Sequence, residues 1–314
     1  MENKAVIRNY AFSNFDDVKT IIFLDNAINA GHDVTDYSLN EDMSVVGWRD
    51  QNDPSILYIA PTIGNRIYIA NKATSLFYDC QYLEEIKGIE ILDTSETTDM
   101  ATMFCGCRSL VSLDLSSFDT RNVTNMYGMF RKCHKLMDLN VSNFNTSKVK
   151  NMSYMFENCW CLSNIDLSSF NTKNVETMEH MFYCCDILEE LDISNFNFSS
   201  VVWINDIIKN CKKLIHINYH NMNYVDIQKM IADLNNRVFL PPPTLRTISR
   251  LINIDGLRQE KINPDVDLWS KICTHRDPTT GASTLIPDLD NKIYTCSVCK
   301  QTFRFADEKD SLIY

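Results

Sequence analysis

Between residues 77 and 224 the apolar positions fall on a fixed cycle. Leu110, Leu136, Leu162, Leu188 and Leu214 follow one another at intervals of 26 residues, and so do Cys107, Cys133, Cys159, Cys185 and Cys211. A Met-Phe pair keeps the same step at Met103-Phe104, Met129-Phe130, Met155-Phe156 and Met181-Phe182, then gives way to Ile207-Ile208. An imperfect earlier copy, Phe77, Cys80, Leu83 and Ile86, is offset by 27. A fixed period of this length predicts a solenoid, in which each repeat buries its apolar side against its neighbours and the end copies degenerate into caps.

Within one repeat, Leu113-Asp114-Leu115 alternates in, out, in, which predicts a short strand. The copies Leu139-Asn140-Val141, Ile165-Asp166-Leu167 and Leu191-Asp192-Ile193 then predict a parallel sheet along the array. Val123, Met126, Met129, Phe130 and Cys133 recur near helical spacing and predict a short helix on the opposite side. The repeat cysteine falls on the turn between them, where a small apolar side chain fits. The ladder of thiols is therefore read as reduced core filling, as are the repeat methionines and phenylalanines.

The flanks carry other patterns. Residues 1–32 predict a helical lead-in, from Val18, Ile21, Ile22, Leu24 and Ile28. Residues 33–76 predict a small antiparallel cap, with strands at Val45–Trp48, Ile56–Ile59 and Ile67–Ile69 broken by turn residues. The repeats and a closing helix occupy 77–237, a Pro-containing linker and helix 238–264, and a cysteine-bearing module 265–314. The predicted fold class is an α/β repeat solenoid with a β cap and a zinc-ribbon-like C-terminal module.

Charge narrows the partners. The chain of 314 residues has a net charge of −11. Residues 1–80 carry 6 basic and 11 acidic groups, 81–240 carry 14 and 20, and 241–314 carry 10 and 10. An acidic body argues against nucleic acid, which selects a basic face. Residues 1–17 lack the apolar core of a secretion signal, and no apolar run is long enough to span a bilayer. The expected location is the cytoplasm of the producing cell or a virion, with the cell surface reached only by a non-classical route.

Two sets of residues are candidates for chemistry. Cys273 and His275, followed by Cys296 and Cys299, form C-x-H and C-x2-C pairs separated by a hairpin-length insert, the spacing of a tetrahedral zinc site. Four Cys or His ligands leave no place for water, so this zinc is expected to be structural. Its surroundings, Cys273-Thr-His-Arg-Asp-Pro and Tyr294-Thr-Cys-Ser-Val-Cys299, are similar to zinc modules in phage-type virion proteins. The second set is the outward row of the repeat sheet, Asp114, Asn140, Asp166, Asp192 and Asn218, with Asp138 and Glu190 two residues earlier on the same face. Such a strip suits a basic partner, sugar hydroxyls or calcium. No phosphate loop, nucleophile elbow or catalytic trio is legible, so no enzyme is expected.

The run from Leu113 to Phe130, Leu-Asp-Leu-Ser-Ser-Phe-Asp-Thr-Arg-Asn-Val-Thr-Asn-Met-Tyr-Gly-Met-Phe, resembles the BspA-type leucine-rich repeat, also known as the mycoplasma-type lipoprotein surface repeat. The strand-rich stretch from Ser44 to Ala70 resembles the lead-in that precedes such repeats. That resemblance implies a leucine-rich-repeat solenoid and an adhesion or recognition role, with a protein or glycan bound on the repeat sheet. The alternative is a structural component of a phage or virus particle, docked through the zinc module.

Overall fold

The computed structural model describes residues 4–13, 15–28, 30, 33–214 and 216–218, together with 285–288, 293–296 and 302–304. The chain divides into two compact units, 1–234 and 235–314. In the first unit, strands β1 (Val6–Ile7), β2 (Thr20–Phe23), β3 (Thr35–Asp36), β4 (Val45–Arg49), β5 (Ile56–Pro61), β6 (Ile67–Ile69), β7 (Glu85–Lys87) and β8 (Leu92–Asp93) form two sheets. One is five-stranded in the order β3-β4-β5-β2-β7, and the other is three-stranded and parallel in the order β1-β6-β8.

The sheet around the predicted cap is therefore mixed. Its β3, β4 and β5 are antiparallel, whereas β2 and β7 join in parallel. The helix expected over residues 1–32 does not form. Thr20-Ile-Ile-Phe23 is a strand whose Ile21 and Phe23 point into the core, and Ile28, which the helical spacing placed on the buried face, is 84% exposed. Three successive β-branched residues suit a strand paired on both edges better than a helix. This segment also extends the repeat stack at its N-terminal end. The Phe12 ring stacks on Phe77 at 5.1 Å, and the Cys80 thiol donates to the Phe12 carbonyl at 2.8 Å.

Four further strands follow the repeat period: β9 (Ser112–Asp114), β10 (Asp138–Asn140), β11 (Glu190–Asp192) and β12 (His216–Asn218). β9 pairs with β10 and β11 with β12, both in parallel and in register at a 26-residue step. Ile165-Asp166-Leu167, which the alternation made a strand, carries no strand pairing, and Ile165 is only half-buried where Leu113, Leu139 and Leu191 are buried. On the opposite side, parallel bridges link Lys72, Asp99, Asn125, Asn151, Thr177 and Trp203 in succession.

The helix expected between Val123 and Cys133 is replaced by a chain of tight turns. Two positions per coil are left-handed: Thr102, Gly128, Tyr154, His180 and Asp206 at φ 55–62°, then Gly106, Lys132, Asn158, Cys184 and Asn210 at φ 58–83°. A right-handed helix cannot run through such residues. The backbone N–H groups divide their bonds instead. Those of Met129, Arg131 and Cys133 donate three residues back within the coil, whereas those of Met126, Gly128, Phe130 and Lys132 donate to Asn151, Ser153, Met155 and Glu157 in the next coil. A helix would have spent every N–H inside its own coil. Alternation is what ties one coil to the next, and the three-residue turns mimic the 3.6-residue period in the sequence.

Columns of like side chains fill the stack, and three of them are phenylalanine, methionine and threonine. Phe77, Phe104, Phe130, Phe156 and Phe182 are fully buried and stack with near-parallel rings at 5.0–5.8 Å. Beside them the repeat methionines Met103, Met126, Met129, Met152, Met155, Met178 and Met181 are equally buried, so they are core and line no groove. The third column is threonine. The hydroxyls of Thr94, Thr120, Thr146 and Thr172 accept from the N–H of Asp119, Asn145, Asn171 and Asn197 at 2.6–2.8 Å and donate to the carbonyls of those residues at 3.0–3.2 Å. One hydroxyl thus satisfies both backbone groups of a residue in the following coil.

Thr97 breaks this economy. It stands where later coils have Val123, Val149, Val175 and Val201, and its buried hydroxyl has no hydrogen-bond partner. A buried, unpaired hydroxyl costs about 1–3 kcal/mol. Thr97→Val is expected to raise stability by about 1 kcal/mol, read as a higher urea midpoint at unchanged slope.

In the second unit, β13 (Leu285–Asp288), β14 (Ile293–Cys296) and β15 (Thr302–Arg304) form an antiparallel meander in that order.

Candidate functional site

The outward row of the repeat is built by the strand ends. Register sets Asp114 beside Asn140, and Asp192 beside Asn218, while Asp138 lies beside Ser112 and Glu190 beside His216. Asp114, Asp138, Asp166, Glu190 and Asp192 are exposed and Asn140 is half-buried. Asp166 and Asp192 face each other closely enough for like-charge repulsion to act on Asp166. Register and exposure thus put Asp114 and Asp138 on outward positions of one strand pair, and Glu190 and Asp192 on outward positions of β11.

Four of the residues singled out from the sequence also have a local task. The Oδ1 atoms of Asp114, Asn140, Asp166 and Asp192 accept the N–H of Ser116, Ser142, Ser168 and Ser194 at 2.9–3.2 Å. These bonds close a turn at the end of each strand, the role in which Asp and Asn are interchangeable. The backbone N–H of Ser116 holds the Asp114 carboxyl below the usual carboxylate range, and that of Ser168 does the same for Asp166. Both are thus ionised at neutral pH, with one oxygen committed to the turn.

The repeat thiols form a sealed column rather than a reactive one. Cys107, Cys133, Cys159, Cys185 and Cys211 each donate S–H to the carbonyl of Phe77, Phe104, Phe130, Phe156 and Phe182, at 3.0–3.2 Å. Burial pushes the Cys107, Cys133, Cys159 and Cys185 thiols well up, so they keep the proton that this bond needs. A small side chain with one weak donor is what the position selects.

One feature of the turn side was not legible from the period. Tyr154 packs against Tyr127 at 5.3 Å and stacks on His180 at 4.8 Å, while the Arg131 guanidinium lies 5.0 Å over the Tyr154 ring and pairs with Glu157. Asp206 approaches His180 at 3.5 Å and Lys209 at 2.7 Å. These residues occupy positions whose identity changes from coil to coil, Gly128, Tyr154, His180 and Asp206 in turn. Comparing the coils position by position, rather than seeking what recurs, would have found them.

Of the proposed zinc ligands, Cys296 is the last residue of β14, in register with Leu285. Cys273, His275 and Cys299 lie outside the described residues. Among the described residues no group of three or more His, Cys, Asp or Glu is placed to hold a metal ion, and no helix is long and apolar enough to cross a membrane.

Residues 71–185 and again 137–238 match the family described as Mycoplasma protein of unknown function, DUF285; together the two matches span more than half of the chain. No curated protein matches the chain.

Proposed function

Because the chain belongs to the DUF285 family, we propose that it is a non-enzymatic interaction scaffold, a BspA-like leucine-rich-repeat solenoid that binds a protein or glycan through the outward row of its repeat strands. The observation that carries this reading is the division of labour within each coil. The recurring phenylalanine, methionine, threonine and cysteine columns are spent on the core, while Asp114, Asp138, Asp166, Glu190 and Asp192 remain at the surface. Successive coils repeat a similar presentation at about 4.8 Å per step, so a partner meets several weak polar contacts at once on a pre-ordered surface. The recurrence of Leu-Asp-Leu-Ser-Ser-Phe-type segments, which resemble the BspA-type repeat, supports the same reading.

Glycan and protein arrays probed with the purified chain test it. Bound targets are expected to be lost on Asp166→Lys combined with Asp192→Lys, with an unchanged circular dichroism spectrum. Targets held equally by the variant would remove the strand face from recognition.

The C-terminal module, in this reading, is held by a structural zinc on Cys273, His275, Cys296 and Cys299. Metal analysis is expected to find about one zinc per chain, lost in Cys296→Ser and Cys299→Ser, since these four ligands close a tetrahedral site. A metal-free chain that still folds its C-terminal unit would contradict this.

A further inference from the structure

A second surface lies at the corner where each coil passes from its turns into its strand. Backbone bonds fix the neighbours there: Lys135 N–H donates to Arg108 at 3.2 Å, Met137 to Val111 at 2.9 Å, and Cys161 to His134 at 3.2 Å. The Trp160 ring lies flat on His134, with centroids 3.7 Å apart and planes 4° from parallel. Three large apolar side chains on successive coils face solvent here, Val111 at 37%, Met137 at 52% and Trp160 at 44%.

Cations surround them. Arg108 and Lys135 are exposed and Lys132 half-buried, and none of the three has an ion-pair partner among the described residues. Of the carboxylates beside the corner, Glu157 pairs with Arg131 and Asp186 with Lys212, while the exposed Asp138 lies on its strand side next to Met137. Burial, then the charges of Arg108 and Lys132, hold His134 below its ordinary value, which leaves its ring neutral and free to stack. In a chain of net charge −11, an unpaired cationic rim around exposed apolar groups is out of character with the rest of the surface.

We propose that this corner takes an acidic segment of a partner protein, with its carboxylates on Arg108, Lys132 and Lys135 and its apolar side chains on Val111, Met137 and Trp160. Charge complementarity selects an anion. The aliphatic Val111 and Met137 select a peptide over a sugar, because neither offers a flat face or a hydrogen bond to a hydroxyl. Three coils span about 10 Å, the length of about three residues of extended chain.

The surface differs from the strand face in place and in charge, so the two are tested apart. In fluorescence anisotropy with the full chain, a short fluorescein-labelled peptide alternating aspartate and leucine is the probe. Binding is expected, weakening with salt. It should fall about tenfold in Arg108→Ala combined with Lys135→Ala, and also in Met137→Asp, while Asp166→Lys with Asp192→Lys leaves it intact. Should the double variant not fold, Lys135→Glu at an exposed position carries the same test. No binding, binding indifferent to these changes, or capture of a sulfated polysaccharide or phosphatidylserine vesicles in place of the peptide would overturn the proposal.

Discussion

Phe130→Ala is expected to lower the unfolding free energy by about 3–5 kcal/mol, the range for a large aromatic removed from a packed core. Phe130 is fully buried and stacked between Phe104 at 5.8 Å and Phe156 at 5.6 Å. Its carbonyl accepts both the Cys133 N–H and the Cys159 thiol. Neighbouring coils share that ring, so its loss empties space on two interfaces at once. In a stack where each coil contacts only the next, this damage is concentrated in the middle of the array. Urea unfolding followed by circular dichroism is expected to show a large drop in midpoint, or a split into two transitions. A change below about 1 kcal/mol would mean that the column is not close-packed.

Thr146→Val is expected to cost about 2 kcal/mol, because two hydrogen bonds disappear while the shape is kept. The Thr146 hydroxyl accepts from Asn171 N–H at 2.7 Å and donates to the Asn171 carbonyl at 3.0 Å. Deleting it leaves a backbone donor and acceptor of the next coil without their partner. The same substitution at Thr97, where the hydroxyl bonds to nothing, has the opposite expected sign. The two threonines occupy different repeat positions, Thr97 standing where later coils have valine, and their hydrogen-bond partners set the opposite signs. Thermal or urea unfolding of both variants side by side reads this difference directly.

The 26-residue register was legible in the sequence, apart from the strand expected at Ile165-Asp166-Leu167. Leu113, Leu139 and Leu191 are buried on strands where the alternation placed them, and the thiol column lies in the core. Conformation on the turn side was not legible. Met126, Met129, Phe130 and Cys133 recur at intervals shared by a helix and by a succession of three-residue turns, and only the left-handed backbone at Gly128 and Lys132 separates them. Lysine, tyrosine and histidine at such positions give no warning of a positive φ. Residues 1–32 failed for a related reason. Thr20 to Phe23 fits either period, and its strand pairing comes from Ile56–Ile59 and Glu85–Lys87, which are distant in the chain. For the candidate site, the sequence placed Asp114, Asp166 and Asp192 outward but was silent on their bonds to Ser116, Ser168 and Ser194. That silence matters, because a turn-closing carboxylate recurs whether or not anything binds to it.

Position by position, the two surfaces of the repeat differ in chemistry. The strand ends are acidic and arise from a recurring motif. The corner at Arg108, Lys135 and Trp160 is cationic and apolar and belongs to single coils. If the proposed function holds, a scaffold with both surfaces could hold two partners, or one partner by two contacts, and the second case would multiply affinity.

Hydrogen–deuterium exchange of the chain with a target taken from the arrays tests the scaffold account most directly. Amide protection upon binding is expected over residues 112–116, 138–142, 164–168 and 190–194, in several coils together. Protection confined to residues 285–304, or absent from every coil, would contradict recognition through the repeat face.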